Sequence, residues 1–235
     1  LVLIQFLQSV LGYSAVVAAA GLLPMAVVMM GLSPNAPAWA ERFGLRRVLG
    51  LGSMLLTGGF VWLAFADTSY LSLLPGLLLL GGGMGLAMSP ATTAITESLP
   101  ADKQGVASAL NDTVREFGSA LGVALIGSVL AAGYGDAIAP STEQLPDELA
   151  EPVGEGVGQA LAVAERLGLE GEGLVVAARD AFMGGWSTAM IVAAVLAAAG
   201  GVGVRMLAQD GAGDIDGDDR RPVEGLSRGE PVVAR

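Results

Sequence analysis

The sequence contains no cysteine and no histidine. Their absence removes disulfides, thiol chemistry, imidazole metal sites and histidine acid/base catalysis from what the chain can do. Charge is scarce as well: Asp, Glu, Lys and Arg make up 15% of the 235 residues, against roughly 25% in soluble domains. The twelve basic residues form no dense patch with interleaved aromatics, so nucleic-acid binding is not expected. No catalytic constellation stands out, and an enzyme is the weakest reading.

What fills the chain is apolar. The hydrophobic fraction is 53% and the mean hydropathy +0.62, which points to an all-α integral membrane protein. The 35 glycines fit that class, because small residues let helix backbones approach where lipid supplies no hydrophobic drive for association. The net charge of −11 is concentrated in two places: of 23 acidic residues, ten fall within 136–180 and seven after Gln209. The chain opens at Leu1 inside an apolar run with no basic stretch before it. A signal peptide is therefore not expected, and the sequence reads as the C-terminal portion of a larger membrane protein whose N-terminal half is missing.

The organising feature is ERFGLRR, residues 41–47. It holds three of the twelve basic residues between two runs, 15–40 and 48–66, that carry no charge. Each run is close to the ~20 apolar residues needed to cross a hydrocarbon core of about 30 Å. Residues 41–47 thus predict a tight turn between membrane helices, placed on the cytoplasmic side by its arginines. The expected helices are a truncated one over about 1–11, then about 15–40, 46–66, 70–99, 106–134 and 181–207, forming a bundle over 1–208. Ser14 is expected to cap the second. Residues 135–180 are expected to be a long, largely mobile outer loop with a short helix near 159–167, and residues 209–235 a disordered acidic cytoplasmic tail. The aspartates at 214, 216, 218 and 219 lack the twelfth-position glutamate of a calcium loop, so no metal site is assigned there. Glu97, Asp102, Asp112 and Glu116 likewise have no recognised ligand spacing, and no cofactor is expected.

Several residues within the apolar helices are candidates for function. Gln5 and Gln8 share a helical face and suit either a polar contact between helices or a pore-facing role. Pro24, Pro34 and Pro90 predict kinks, and Gly81, Gly82, Gly83 and Gly85 predict close helix packing or a flexible point. Asn111, Asp112, Arg115 and Glu116 cluster in the first turns of the fifth helix, where Asp112, Arg115 and Glu116 share a face. They suit either an amphipathic helix entry at the water interface or substrate passage and inner gating, with Asp112 or Glu116 titrating and Arg115 holding one ionised. The arginines of 41–47 set topology, gate, or both.

SPNAPAWAERFGLRRVLG (residues 33–50) resembles the C-terminal copy of the loop signature of the major facilitator superfamily, with Pro37 where glycine is common and Glu41 where aspartate is common. LGYSAVVAAAGLLP, PGLLLLGGGMGLAMSP and KQGVASALNDTVREFGSALGVALIGSV are similar to the last helices of its fourteen-helix drug:proton antiporters. The resemblance covers about residues 1–204 apart from the acidic outer segment. It implies the C-terminal helices of a two-halved bundle in the cell membrane, exporting drugs or other amphipathic small molecules in exchange for protons by alternating access. It also implies that Glu41, Arg42, Gly44, Arg46 and Arg47 make charge pairs and helix-end contacts that break when the inner gate opens. An uptake symporter or facilitator on the same scaffold is the first alternative. A non-transporting membrane subunit that binds a partner through the acidic outer segment is the second.

Overall fold

The structure, a computed structural model, describes residues 2–97, 100–143 and 145–210; the acidic tail and its aspartate run from residue 211 onward lie outside the described residues. Among the described residues every regular element is helical. Five segments of the described residues are long and apolar enough to cross a membrane: Ala15–Leu32, Leu45–Ala64, Tyr70–Thr96, Gln104–Thr142 and Glu172–Met206. The architecture is an all-α, multi-pass membrane bundle.

The chain begins with α1 (Val2–Gln5), which widens into a π turn over Phe6–Val10 closed by Leu11 N–H on the Phe6 carbonyl at 3.3 Å. Ser14 caps α2 (Ala15–Gly21), its hydroxyl accepting from Val17 N–H at 3.4 Å. The proline-kinked helix expected over 15–40 is three pieces: α2, α3 (Leu23–Leu32) and α4 (Ala36–Phe43). Proline causes both breaks. Pro24 has no N–H to continue the ladder, and the chain tightens so that Leu22 N–H reaches Ala19 at 3.1 Å. Pro34 sits in the turn between α3 and α4, and Pro37 occupies the first turn of α4, where its missing donor costs nothing.

Next come α5 (Leu45–Ala64), α6 (Tyr70–Glu97), α7 (Gln104–Thr142), α8 (Asp147–Glu155), α9 (Val157–Leu167) and α10 (Glu172–Asp210). Packing runs α3–α6–α5–α10–α7, with α7 touching α6 more lightly. Glycines set the separations. A Cβ at Gly81 would collide with the Met25 carbonyl of α3, and one at Gly85 would lie 3.0 Å from the Met29 carbonyl. On the opposite side of α6, a Cβ at Gly83 would lie 2.6 Å from Leu56 of α5, while Gly82 is in ordinary contact. The α7–α10 crossing is equally close: a Cβ at Gly133 would sit 2.8 Å from the Cα of Gly185.

The largest departure from expectation is at residues 135–180. Instead of a mobile loop, α7 continues to Thr142, α8 and α9 follow, and α10 already begins at Glu172. An α7 of 39 residues rises about 58 Å, well beyond a ~30 Å hydrocarbon core. Its end and the start of α10 therefore project past the membrane together, and α8 and α9 fold against them as a cap. Val153, Val157, Ala160, Val163 and Ala164 are buried at helical spacing, while Glu148, Glu151, Glu155 and Glu165 stay exposed. Tyr134 fastens the cap by donating its hydroxyl to the Val153 carbonyl at 2.9 Å. The acidity is one solvated face of packed helices.

Beneath the cap lies an aromatic cluster. Phe6 and Trp186 have ring centroids 4.6 Å apart, and Phe182 and Trp186 6.2 Å apart. The last carbonyls of α5 have no partner within their own helix. Trp186 Nε1 donates to Leu63 O at 2.8 Å and Ser187 Oγ to Ala64 O at 2.9 Å, which ties α10 to the end of α5.

Candidate functional site

The ends of the bundle differ in chemistry. At the end bearing the 41–47 turn, α4 passes to α5 through Gly44 at φ 93° and ψ 132°, a conformation open essentially to glycine. Gly44→Ala is expected to destabilise the turn by about 1–3 kcal/mol, seen as a lower thermal unfolding midpoint in detergent; an unchanged midpoint would mean the turn tolerates a side chain. Glu41 is exposed and, among the described residues, makes no ion pair in this conformation. The Arg42 guanidinium stacks over the Phe43 ring at 5.3 Å from its centroid. Arg46 and Arg47 leave this turn along α5.

Gln5 and Gln8 lie at the other end, on the segment whose Phe6 and Leu7 are fully buried; Gln5 is exposed and Gln8 half-buried. The neighbouring Ser9 carbonyl accepts from Arg179 Nε at 3.1 Å. The glutamines are thus separated by the length of the bundle from Asn111, Asp112, Arg115 and Glu116, which sit in the early turns of α7. The two groups do not form one site.

Of the α7 group, Asn111 and Arg115 border cavities shared with neighbouring helices, whereas Asp112 and Glu116 line neither. Asn111 is the buried polar residue of the described bundle, only 6% exposed, and donates Nδ2 to Asp112 Oδ1 at 3.4 Å. Asp112, Arg115 and Glu116 are exposed, and among the described residues Arg115 pairs with neither carboxylate. Arg115 instead borders two adjoining cavities. One, of about 430 Å³, lies between α6 and α7 and includes Met88, Thr92, Ile95, Leu110, Asn111 and Arg115 in its wall. The other, of about 390 Å³, lies towards α3 and includes Met29, Ser33, Met84, Ser89 and Thr93, together with Met88, Thr92 and Arg115 again. Buried Pro90 stands behind this wall in the helix that supplies most of it.

This wall has a particular surface chemistry. Thr92 and Thr93 donate to the carbonyls of Met88 and Ser89, four residues back, at 3.0 and 3.2 Å. Their hydroxyls are thus satisfied within α6 while their oxygens remain able to accept. Three methionines supply flexible, polarisable contact surface of the kind found where one site accommodates several shapes. The charged group among the lining residues of the two cavities is Arg115. Reasoning along the sequence singles out Asn111 and Arg115 but not Met29, Met84, Met88, Ser89, Thr92 or Thr93. The Ser89, Thr92, Thr93 spacing was the available signal, since it places three hydroxyls on one helical face.

The sequence profile described as "Major Facilitator Superfamily" matches residues 1–123, just over half of the chain. The chain belongs to this superfamily. Among curated proteins it is 35% identical over 145 residues to the multidrug resistance protein Stp of Mycobacterium tuberculosis, covering 61% of this chain and 27% of that protein. To the multidrug efflux pump LfrA of Mycolicibacterium smegmatis it is 31% identical over 205 residues, 85% of this chain and 40% of LfrA. To the cephamycin export protein CmcT of Amycolatopsis lactamdurans it is 35% identical over 154 residues, 63% and 30% respectively. The chain thus spans between 27% and 40% of the length of these relatives.

Proposed function

We propose that this chain is the C-terminal part of a proton-coupled secondary transporter that exports drugs or other amphipathic small molecules by alternating access, and that it is not an enzyme. The observation that carries this reading is the pair of cavities joined at Arg115: a methionine- and hydroxyl-lined wall with one cation, in a membrane bundle, suits passage of varied amphipathic molecules. A preceding half, supported by the greater length of the relatives, would complete the passage from the other side.

Sidedness follows the positive-inside rule. Arg42, Arg46, Arg47, Lys103, Arg115 and Arg205 gather at the end bearing the 41–47 turn, whereas the capped end has Arg166 and Arg179 among many acids. We place the turn and the tail in the cytoplasm and the α8–α9 cap outside the cell membrane. Glu41, Arg42, Arg46 and Arg47 would then act at the inner gate, with Glu41 pairing in the inner-closed state. Asp112 and Glu116, beside Arg115, are the carboxylates to carry a proton. Close packing of Gly81, Gly83 and Gly85 would let α6 move as one body with α3 and α5, with Gln5 and Gln8 at the outer end of the passage.

Proton-gradient-driven movement of a substrate dye in everted vesicles tests the reading, using the full transporter that contains this chain. Arg115→Gln is expected to lower the initial rate about tenfold, the scale of one lost charge-assisted contact, at an unchanged membrane level. Transport at the parental rate in Arg115→Gln would remove the cavities from the substrate path. Parental coupling in the double variant Asp112→Asn, Glu116→Gln would remove the carboxylates from the proton path.

A further inference from the structure

On the other side of the bundle, α5 and α10 border a groove of about 930 Å³ to which neither α6 nor α7 contributes a lining residue. Its depth comes from small residues. Gly201 meets Ser53 so closely that an added Cβ would lie 2.7 Å from the serine Cβ, and a Cβ at Gly50 would meet nothing within 4 Å. Leu51 (51% exposed), Met54 (72%) and Val202 (52%) stand open along it. The hydroxyls in the groove turn back on their own helix: Ser53 Oγ donates to Leu49 O at 2.9 Å and Thr57 Oγ1 to Ser53 O at 2.8 Å. Along its length the groove is therefore an apolar trough between two spanning helices.

One end of the trough is different. Because α5 and α10 run antiparallel, Arg46 and Arg47 from the start of α5 and Arg205 from the far end of α10 line the same end. Among the described side chains no carboxylate lines the groove and none pairs with these three arginines. An apolar trough open at the membrane face and closed by three unpaired guanidiniums complements a molecule with an apolar chain and an anionic head. A soluble anion has no use for the trough, and a neutral apolar molecule has none for the arginines. Guanidinium groups suit phosphate oxygens in particular, because their paired N–H donors match that geometry.

We propose that this groove binds an anionic phospholipid, its phosphate held by Arg46, Arg47 and Arg205 and an acyl chain seated over Gly50 beside Met54. The site lies apart from the Arg115 cavities and stands whether or not the transport reading holds. It also gives the two arginines that follow Gly44 a role in coupling the α5–α10 pair to the composition of the surrounding leaflet.

Native mass spectrometry of the full 235-residue chain, released from micelles containing equal amounts of phosphatidylglycerol and phosphatidylcholine, tests this. One phosphatidylglycerol should be retained per chain at least tenfold more often than phosphatidylcholine. The triple variant R46Q/R47Q/R205Q should lose that preference, and R205Q alone, on a separate helix, should weaken it. G50F, which fills the trough without touching charge, should also reduce retention, while R166Q in the cap should leave it unchanged. Equal retention of the two lipids by the parent, or full preference in the triple variant, would overturn the proposal. So would full retention in G50F, which would leave a headgroup contact without an acyl seat. A preference that emerges only when residues 211–235 are deleted would assign the groove to the acidic C-terminal segment instead.

Discussion

Trp186→Ala is expected to destabilise the bundle by about 3–5 kcal/mol, the range for deleting a large buried aromatic side chain. Trp186 is fully buried, packs against Phe6 and Phe182, and donates Nε1 to the Leu63 carbonyl. Its loss opens a cavity under the α8–α9 cap and removes the side-chain donor from a carbonyl at the end of α5. Trp186→Phe separates the two contributions: the ring space is largely refilled, while the Leu63 carbonyl loses the indole donor and keeps only Ala66 N–H at 3.3 Å, at a cost of about 0.5–1.5 kcal/mol. Thermal unfolding of the purified chain in detergent measures both. An alanine variant within ~1 kcal/mol of the parent, inside the usual spread for surface changes, would show that the aromatic cluster does not hold α1, α5 and α10 together.

Gly81→Leu should lower stability even though leucine is the better helix former by about 1 kcal/mol. That opposition of signs makes the test informative. A Cβ at Gly81 collides with the backbone carbonyl of Met25, which cannot rotate out of the way as a side-chain tip can. α3 must move off α6, and the contacts of Gly85 with Met29 along the same face loosen with it. Overpacking of this kind costs about 1–3 kcal/mol, and more where backbone must shift. Gly127→Leu is the matched comparison, because a Cβ there meets nothing within 4 Å; it should be neutral or stabilising. Equal effects at the two positions would mean that helix propensity, not the α3–α6 contact, governs Gly81.

The spanning helices are legible in the sequence because uncharged runs of about twenty residues have few other uses. The break of 15–40 into three helices was signalled by Pro24, Pro34 and Pro37, but three prolines do not say which will kink a helix and which will end it; the satisfaction of neighbouring carbonyls decides that. Residues 135–180 misled for a different reason. Ten acidic residues dominate their composition, and composition hides the Val153, Val157, Ala160, Val163 periodicity that buries α8 and α9. Asn111 and Arg115, which line the cavities, stood out in the sequence because polar and charged residues in membrane helices are costly. Thr92 and Met88 were not, since threonine commonly bonds its own helix and methionine commonly fills gaps. The meeting of Arg205 with Arg46 and Arg47 depends on α10 packing beside α5, a long-range contact that no local pattern encodes.

Because this chain has no cysteine, single thiols introduced into it, in the full transporter with any cysteine elsewhere replaced, test the substrate-passage reading directly by labelling. Thr92→Cys places a thiol where the two Arg115 cavities join, and Met54→Cys places one in the α5–α10 groove. Thiols react as thiolates, which form readily in water and poorly in lipid. In native membranes, a water-borne, membrane-impermeant maleimide applied from the cytoplasmic side is expected to modify Thr92→Cys much faster than Met54→Cys, and an excess of transported substrate should slow the Thr92→Cys reaction. A Thr92→Cys thiol that reacts no faster than Met54→Cys and is indifferent to substrate would contradict a substrate passage at the Arg115 face.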